Sequence, residues 1–184
     1  MYAYLNGEVT EQYPTHVVLE CYGIGYLIKT PNPYVFELNK KHRIYTYQHV
    51  REDVIALYGF LKKEERELFL KLISVKGIGP KGALAILATG SVSGIISAIE
   101  SGNSEYLRKF PGIGPKASQQ IVLDLKGKFE DIDHLVNNNL QDVRDVLLSL
   151  GYNSKEVNKV LRNILFEDCT LDEMIKQALQ MMLK

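Results

Sequence analysis

The sequence predicts a multidomain α+β chain in three parts. These are a strand-rich start over residues 1–62, a tandem of two helix–hairpin–helix units over 63–128, and a three-helix bundle over 140–184 reached through a polar linker, 129–139. Three observations predict it. Short runs of β-branched and aromatic residues crowd the first third of the chain. Apolar residues then shift to helical spacing. In the middle, two nine-residue strings nearly repeat: Val75-Lys76-Gly77-Ile78-Gly79-Pro80-Lys81-Gly82-Ala83 and Phe110-Pro111-Gly112-Ile113-Gly114-Pro115-Lys116-Ala117-Ser118.

The strands come first. Tyr2–Leu5, His16–Cys21, Tyr26–Thr30 after a Gly23-Ile24-Gly25 turn, Arg43–His49 and Val54–Phe60 are five short runs in about sixty residues. That number suits a small closed barrel of the OB type, with an SH3-like barrel as the alternative. Most of the eleven tyrosines fall here, and they read as barrel core and strand surface rather than as platforms for bases. Arg51-Glu52-Asp53 separates the last two strands and is expected at a hairpin tip. Two adjacent carboxylates repel phosphate, more strongly as solvent is excluded. Such a tip cannot grip a nucleic-acid strand, but it can hold strands apart.

Each repeated string reads as a hairpin between helices. Glycine tolerates positive φ and close approach by another backbone. Ile78 and Ile113 can plug the core and fix each turn. Pro80 and Pro115 suit the first helical position, where a missing amide costs nothing. The next amides lack intrahelical partners and, with the macrodipole, form an anion site. Lys81 and Lys116 stand in that first turn, where the dipole disfavours a cation unless an anion arrives. Leu68, Phe69, Leu72 and Ile73 form a helical face before the first hairpin, and Tyr106, Leu107 and Phe110 one before the second. Val92, Ile95, Ile96 and Ile99 mark a connecting helix.

The linker carries Glu130, Asp131, Asp133 and Asn137-Asn138-Asn139. Beyond it, Leu140, Val143, Leu147 and Leu150 line a first amphipathic helix that Gly151 ends. Ser154 caps a second with Val157, Val160, Leu161 and Ile164 on its face. Thr170-Leu171-Asp172-Glu173 is a capping box for a third, faced by Leu171, Met174, Ile175, Ala178, Leu179 and Met182. So small and acidic a bundle reads as a partner-docking module.

Net charge is zero over the 184 residues, yet it is unevenly spread. Residues 1–61 carry −1, residues 62–128 carry +5 and residues 129–184 carry −4. Lys76, Lys81, Arg108, Lys109, Lys116, Lys126 and Lys128 cluster around the hairpins, the electrostatic footprint of phosphate-backbone binding. Other classes lack their signatures. No Walker A string occurs, and neither glycine turn follows a convincing βαβ strand. Cys21 and Cys169, like His16, His42, His49 and His134, show no metal-ligand spacing, so no cofactor or metal is expected. With no signal peptide or membrane span in the sequence, a cytoplasmic location is expected. Two rivals remain at this point: a helix–hairpin–helix repair enzyme, for which Asp124 lies only ten residues past Gly114, and a generic single-strand binder stacking bases on the barrel.

Val50-Arg51-Glu52-Asp53 running into Leu57-Tyr58-Gly59-Phe60, the paired Gly-Ile-Gly-Pro-Lys hairpins and an acidic three-helix tail follow one another in the order of the bacterial RuvA family, which the chain resembles over essentially its whole length. The hairpin alone recurs in many DNA-repair proteins, whereas its combination with the acidic tip and the Leu-Tyr-Gly-Phe strand is specific. The resemblance implies a non-catalytic subunit of a recombination and repair machine: a fourfold homotetramer, sometimes two tetramers face to face as an octamer. It would hold a four-way (Holliday) junction open and square-planar. Gripping of the minor-groove-side backbone carries over to Lys76, Gly77, Ile78, Gly79, Lys81 and Gly82, and to Gly112, Ile113, Gly114, Lys116 and Ala117. The acidic pin at the centre carries over to Glu52 and Asp53. The tail, a UBA-like bundle, would recruit the hexameric ATPase RuvB, and the resolvase RuvC would then cut. Linkers in the family are often longer than 129–139.

Overall fold

Five strands, β1 (Tyr4–Tyr13), β2 (His16–Cys21), β3 (Ile24–Lys29), β4 (Lys41–Val50) and β5 (Ile55–Phe60), close into a barrel in a computed structural model that describes residues 1–129, 132, 142–163 and 171–182. The neighbour order is β1-β2-β3-β5-β4, with β4 returning to β1. All pairs are antiparallel except β3 with β5. Strand β1 runs eight residues past the expected Tyr2–Leu5 run because it serves two partners, β4 along its first half and β2 along its second. A register shift between Val9 and Glu11 accompanies the change of partner. The turn into β3 is Tyr22-Gly23 rather than Gly23-Ile24-Gly25: both residues have positive φ, 52° and 79°, and Cys21 pairs with Ile24. A two-residue turn of that hand matches strand twist.

Alternation sends Val9, Val17, Leu19, Ile28 and Ile44 into the barrel, where Phe36 joins them. Phe36 follows a 3-10 turn, Pro33–Val35, whose start is capped by Asn32 Oδ1. The Gln12 side-chain amide donates to the carbonyls of Pro33 and Phe36 and so ties that turn to β1.

Helix α1 (Lys63–Ser74) leaves β5 directly, its start held by the Lys62 amide donating to Glu65. Phe69 packs its ring among Tyr47, Tyr58 and Phe60, with centroids 5.8, 5.4 and 4.9 Å away. Arg66 Nε donates to the Thr46 carbonyl at 2.8 Å. The barrel and the helices that follow therefore share a core, and Met1–Gly127 forms one compact unit. The helices are α2 (Pro80–Thr89), α3 (Val92–Glu100), α4 (Ser104–Arg108) and α5 (Pro115–Leu125). Helix α1 packs on α2 and α4 on α5, with α3 touching α1, α4 and α5. Leu68, Leu72, Ile86, Ile95, Ile99, Leu107 and Ile121 are fully buried between them.

Lys128–Lys184 forms a second unit. It contains α6 over 142–149, α7 (Ser154–Asn163) and α8 (Leu171–Met182). Val143, Leu147, Val157, Met174 and Ala178 form its core. Gly151, at φ 91°, ends α6: its amide donates to Leu148 and the next amide, Tyr152, to Leu147. This Schellman arrangement turns the chain before Leu150 can reach the core, so Leu150 is 58% exposed rather than lining it. The cap of α7 falls on Asn153, whose carbonyl takes the Val157 amide, one residue ahead of Ser154. The linker expected at 129–139 falls mostly outside the described residues, as do Leu140, Ile164, Cys169, His134 and the Thr170 that would open the capping box. Among the described residues, no single helix is long and apolar enough to cross a membrane.

Candidate nucleic-acid interface

The two hairpins have one geometry. Gly77 and Gly112 take φ of 90° and 80°, a region that L side chains rarely enter. The Ile78 amide donates to Val75 at 3.0 Å and the Ile113 amide to Phe110 at 3.1 Å. Both isoleucines are buried, each 6% exposed, and pin their turns from beneath. Gly79 and Gly114 are the N-caps of α2 and α5, at φ, ψ of −93°, 173° and −84°, 177°. The first helical bonds follow at once, Ala83 to Gly79 at 3.0 Å and Ser118 to Gly114 at 2.9 Å. Lys81 and Gly82 in one helix, and Lys116 and Ala117 in the other, thus carry first-turn amides that no intrahelical carbonyl reaches.

What surrounds these glycines matters as much as their angles. A Cβ at Gly77, Gly79, Gly112 or Gly114 would meet no heavy atom within 4 Å. Gly79 and Gly114 also have extended angles open to any residue, so the fold itself does not require glycine there. A bare backbone kept bare where the fold is indifferent leaves room for something outside the chain to approach closely. Gly82 differs: its Cβ would face inward, 3.9 Å from Ile78 Cγ2 and 4.0 Å from Ile113 Cδ1. The two hairpins therefore meet back to back, with both isoleucines under Gly82.

Lys76, Lys81 and Lys116 are exposed, as are Arg108, Lys109, Lys126 and Lys128. No described carboxylate lies within ion-pair distance of Lys76, Lys81 or Lys116. Lys109 is drawn toward a ring, its ammonium 5.9 Å from the Tyr106 centroid. Cations at the positive end of a helix dipole, with no described carboxylate paired to them, suit the approach of an anion.

Glu52 and Asp53 occupy the tip between β4 and β5. Arg51 and Val54 exchange amide bonds of 2.8 and 3.4 Å, which closes the turn and leaves Glu52 and Asp53 exposed at its tip. The sequence reading missed the base of this turn. Val50, Val54 and Ile55 are 59%, 39% and 78% exposed. A β-branched run reads as strand, and strand identity says nothing of which face stays uncovered. Asp124, the carboxylate a repair enzyme would need, accepts a bond from Gln120 on α5 at 2.7 Å, and the described residues contain no cluster suited to a metal ion.

Comparison with known proteins is consistent along the chain. A model of the RuvA N-terminal domain matches residues 1–59, one of a SAM-like helix–hairpin–helix tandem matches 69–128, and one of the RuvA C-terminal domain matches 138–183. Relatives named Holliday junction branch migration complex subunit RuvA include one from Acholeplasma laidlawii, 48% identical over 187 residues with all of both chains covered. Another, from Bacillus cytotoxicus, is 46% identical over 201 residues, spanning all of this chain and 98% of its own. A third, from Bacillus thuringiensis, is 45% identical over the same span. With three domains in family order and full-length identity of this size, the chain belongs to the RuvA family.

Proposed function

We propose that this chain binds four-way DNA junctions without sequence specificity, its hairpins gripping the backbone of the arms, holds them open and square-planar, and acts in branch migration with a separate motor, RuvB, which supplies the ATPase. One observation carries the reading: a glycine hairpin occurs twice in the same geometry, open to space and capped by first-turn lysine, in a chain that also projects a bare acidic tip. Backbone contacts position a protein without reading sequence. Base-specific pairs, worth about 1–3 kcal/mol each, would trap a junction at one place, whereas a branch point must slide.

In this reading Lys76 to Gly82 and Gly112 to Ala117 hold the phosphates of an arm, and Glu52 and Asp53 keep strands apart at the crossover. Four copies surround the branch point, with a second tetramer closing over it as an octamer, and the RuvC resolvase acts on the junction so held. Residues 140–184 dock the motor. The setting is the cytoplasm.

Competition binding of the full chain among a synthetic four-way junction, duplex and single strand tests the reading. The junction should win by a wide margin, without strand cleavage in Mg²⁺, and stimulation of RuvB should vanish when 140–184 is removed. Preference for single strands would favour a base-stacking barrel, and cleavage would favour a repair enzyme.

A further inference from the structure

The acidic turn stands on an apolar base that the electrostatic role does not use. Arg51 and Val54 form the bonded pair that closes the turn. Val50 and Ile55 are the next pair down, opposite each other in register. They form a non-bonded pair, the kind in which side chains on one face of the sheet stand closest. Their exposures of 59% and 78% leave them open together. Val54, 39% exposed, lies on the other face of the same turn. Single exposed aliphatics are ordinary. Adjoining ones at the root of a projecting polar turn are a surface.

We propose that the Val50–Ile55 pair is a base-facing ledge, on which the end base pair of a DNA arm packs once the carboxylates beyond it have parted the strands. The proposal rests on the reading of the chain as a junction binder. The neighbouring charge selects the occupant. Glu52 and Asp53 follow Val50 by two and three residues and outnumber Arg51 beside them, so the net charge at this end of the hairpin is negative and disfavours phosphate. The face of a nucleic acid that carries no charge is the flat face of a base. An arm that ends at a crossover exposes one such face, which has lost its stacked neighbour. Aliphatic side chains set against parted base steps are a general means of holding them. Both residues are β-branched and stiff at χ1, so little side-chain freedom is lost when a base settles on them. The tip and its base then divide the work: charge steers the sugar–phosphate chains outward while the aliphatic pair covers the gap left between bases.

Permanganate attack on thymine tests this, because it reports thymines whose faces are left uncovered. The probe is a synthetic immobile four-way junction with thymines flanking the crossover, bound by the full-length chain. The unmutated protein should shield those thymines, Ile55→Thr should make them severalfold more reactive, and Ile55→Leu should shield them again. Residue 55 is exposed, so both variants are expected to fold, and solution mass is recorded for each. Equal reactivity in the unmutated and Ile55→Thr complexes overturns the ledge while leaving junction binding standing. A fall in assembly mass with Ile55→Thr also overturns it, because a second copy of the chain would then be covering the pair. If the unmutated chain shows no preference for junction over duplex, the reading beneath the ledge fails, and the ledge with it.

Discussion

The first and second hairpins share their backbone and differ in what surrounds it. The positive-φ glycine, the buried isoleucine, the N-cap angles and the first-turn lysine recur at a spacing of 35 residues, from Gly77 to Gly112 and from Lys81 to Lys116. Lys76 precedes the first glycine turn, and Pro111 stands at the matching place in the second. The first hairpin thus brings an ammonium and an amide where the second has neither. Gly82 in α2 corresponds in the repeat to Ala117 in α5. What is kept in both copies is the geometry that leaves first-turn amides without an intrahelical partner. What varies is the supply of charge around it. Arg108 and Lys109 precede the second hairpin where Ile73 and Ser74 precede the first, but at the turn itself only the first adds a cation and an amide, and so it should make the closer grip.

Charge reversal should give the largest effects. Lys81→Glu places a carboxylate among the amides meant for phosphate, and junction affinity should fall on the order of tenfold or more at moderate salt. Lys116→Glu should do the same to a smaller extent, since its turn lacks the ammonium and the amide that Lys76 adds beside Gly77. Both losses should be uniform across junction sequences, and both should flatten the dependence of affinity on salt. Electrophoretic titrations at several salt concentrations on two unrelated junction sequences check this. A loss that depends on sequence would contradict backbone recognition, and a larger effect at Lys116 would invert the proposed ranking.

Serine at the cap glycines separates binding from folding. A Cβ at Gly79 or Gly114 meets nothing within 4 Å. Serine is also a better N-cap than glycine by a few tenths of a kcal/mol. Gly79→Ser and Gly114→Ser should therefore melt at or slightly above the unmutated temperature. The new hydroxyl would accept a first-turn amide and take it from the phosphate, and its atoms would stand in the approach path. Junction affinity should fall severalfold, more at Gly79. Loss of folding would mean that the fold needs these glycines after all.

The hairpins were legible in the sequence because everything that makes them is local: glycine, isoleucine, proline and lysine within five residues. The barrel strands were legible as runs, and β2 was read to its ends because its alternation is clean. The length of β1 was not, because its second half is held by β2 and its first half by β4, a partner some forty residues away. The parallel closure of β3 on β5 is likewise set by tertiary pairing. Phe69 was placed on the correct helical face, but nothing local says that this face meets Tyr47, Tyr58 and Phe60 of the barrel. Gly82 was assigned with the other hairpin glycines, and only the direction of its missing Cβ sets it apart.

Lys76 sharpens the comparison further. Removing its ammonium makes the first hairpin resemble the second in charge while keeping the amide. Lys76→Ala should lower the slope of log affinity against log salt by about 0.9 for each phosphate released. The affinity loss should be smaller than that of Lys81→Glu. An unchanged slope would place Lys76 outside the contact and remove the main ground for ranking the first hairpin above the second.

The smallest expected effect comes from making the two helices alike at their third position. Gly82→Ala places in α2 the residue that α5 already carries at Ala117. The added methyl lies at ordinary contact distance from Ile78 and Ile113, 3.9 and 4.0 Å, so it adds packing without a clash. Glycine in a helix interior is less stable than alanine by roughly 0.5–1 kcal/mol. That gain is somewhat reduced so near the helix start. For a unit of this size it corresponds to a rise of roughly 2–5 °C in melting temperature. The amide stays, the positive-φ turn at Gly77 is untouched, and the methyl points toward the two isoleucines rather than outward. A thermal melt combined with a junction titration reads both consequences at once. A higher melting temperature with little change in affinity assigns Gly82 a role through its amide alone. A severalfold loss of affinity would show that the first hairpin needs bare backbone one residue deeper than the second, and the two copies would then differ in shape as well as in charge.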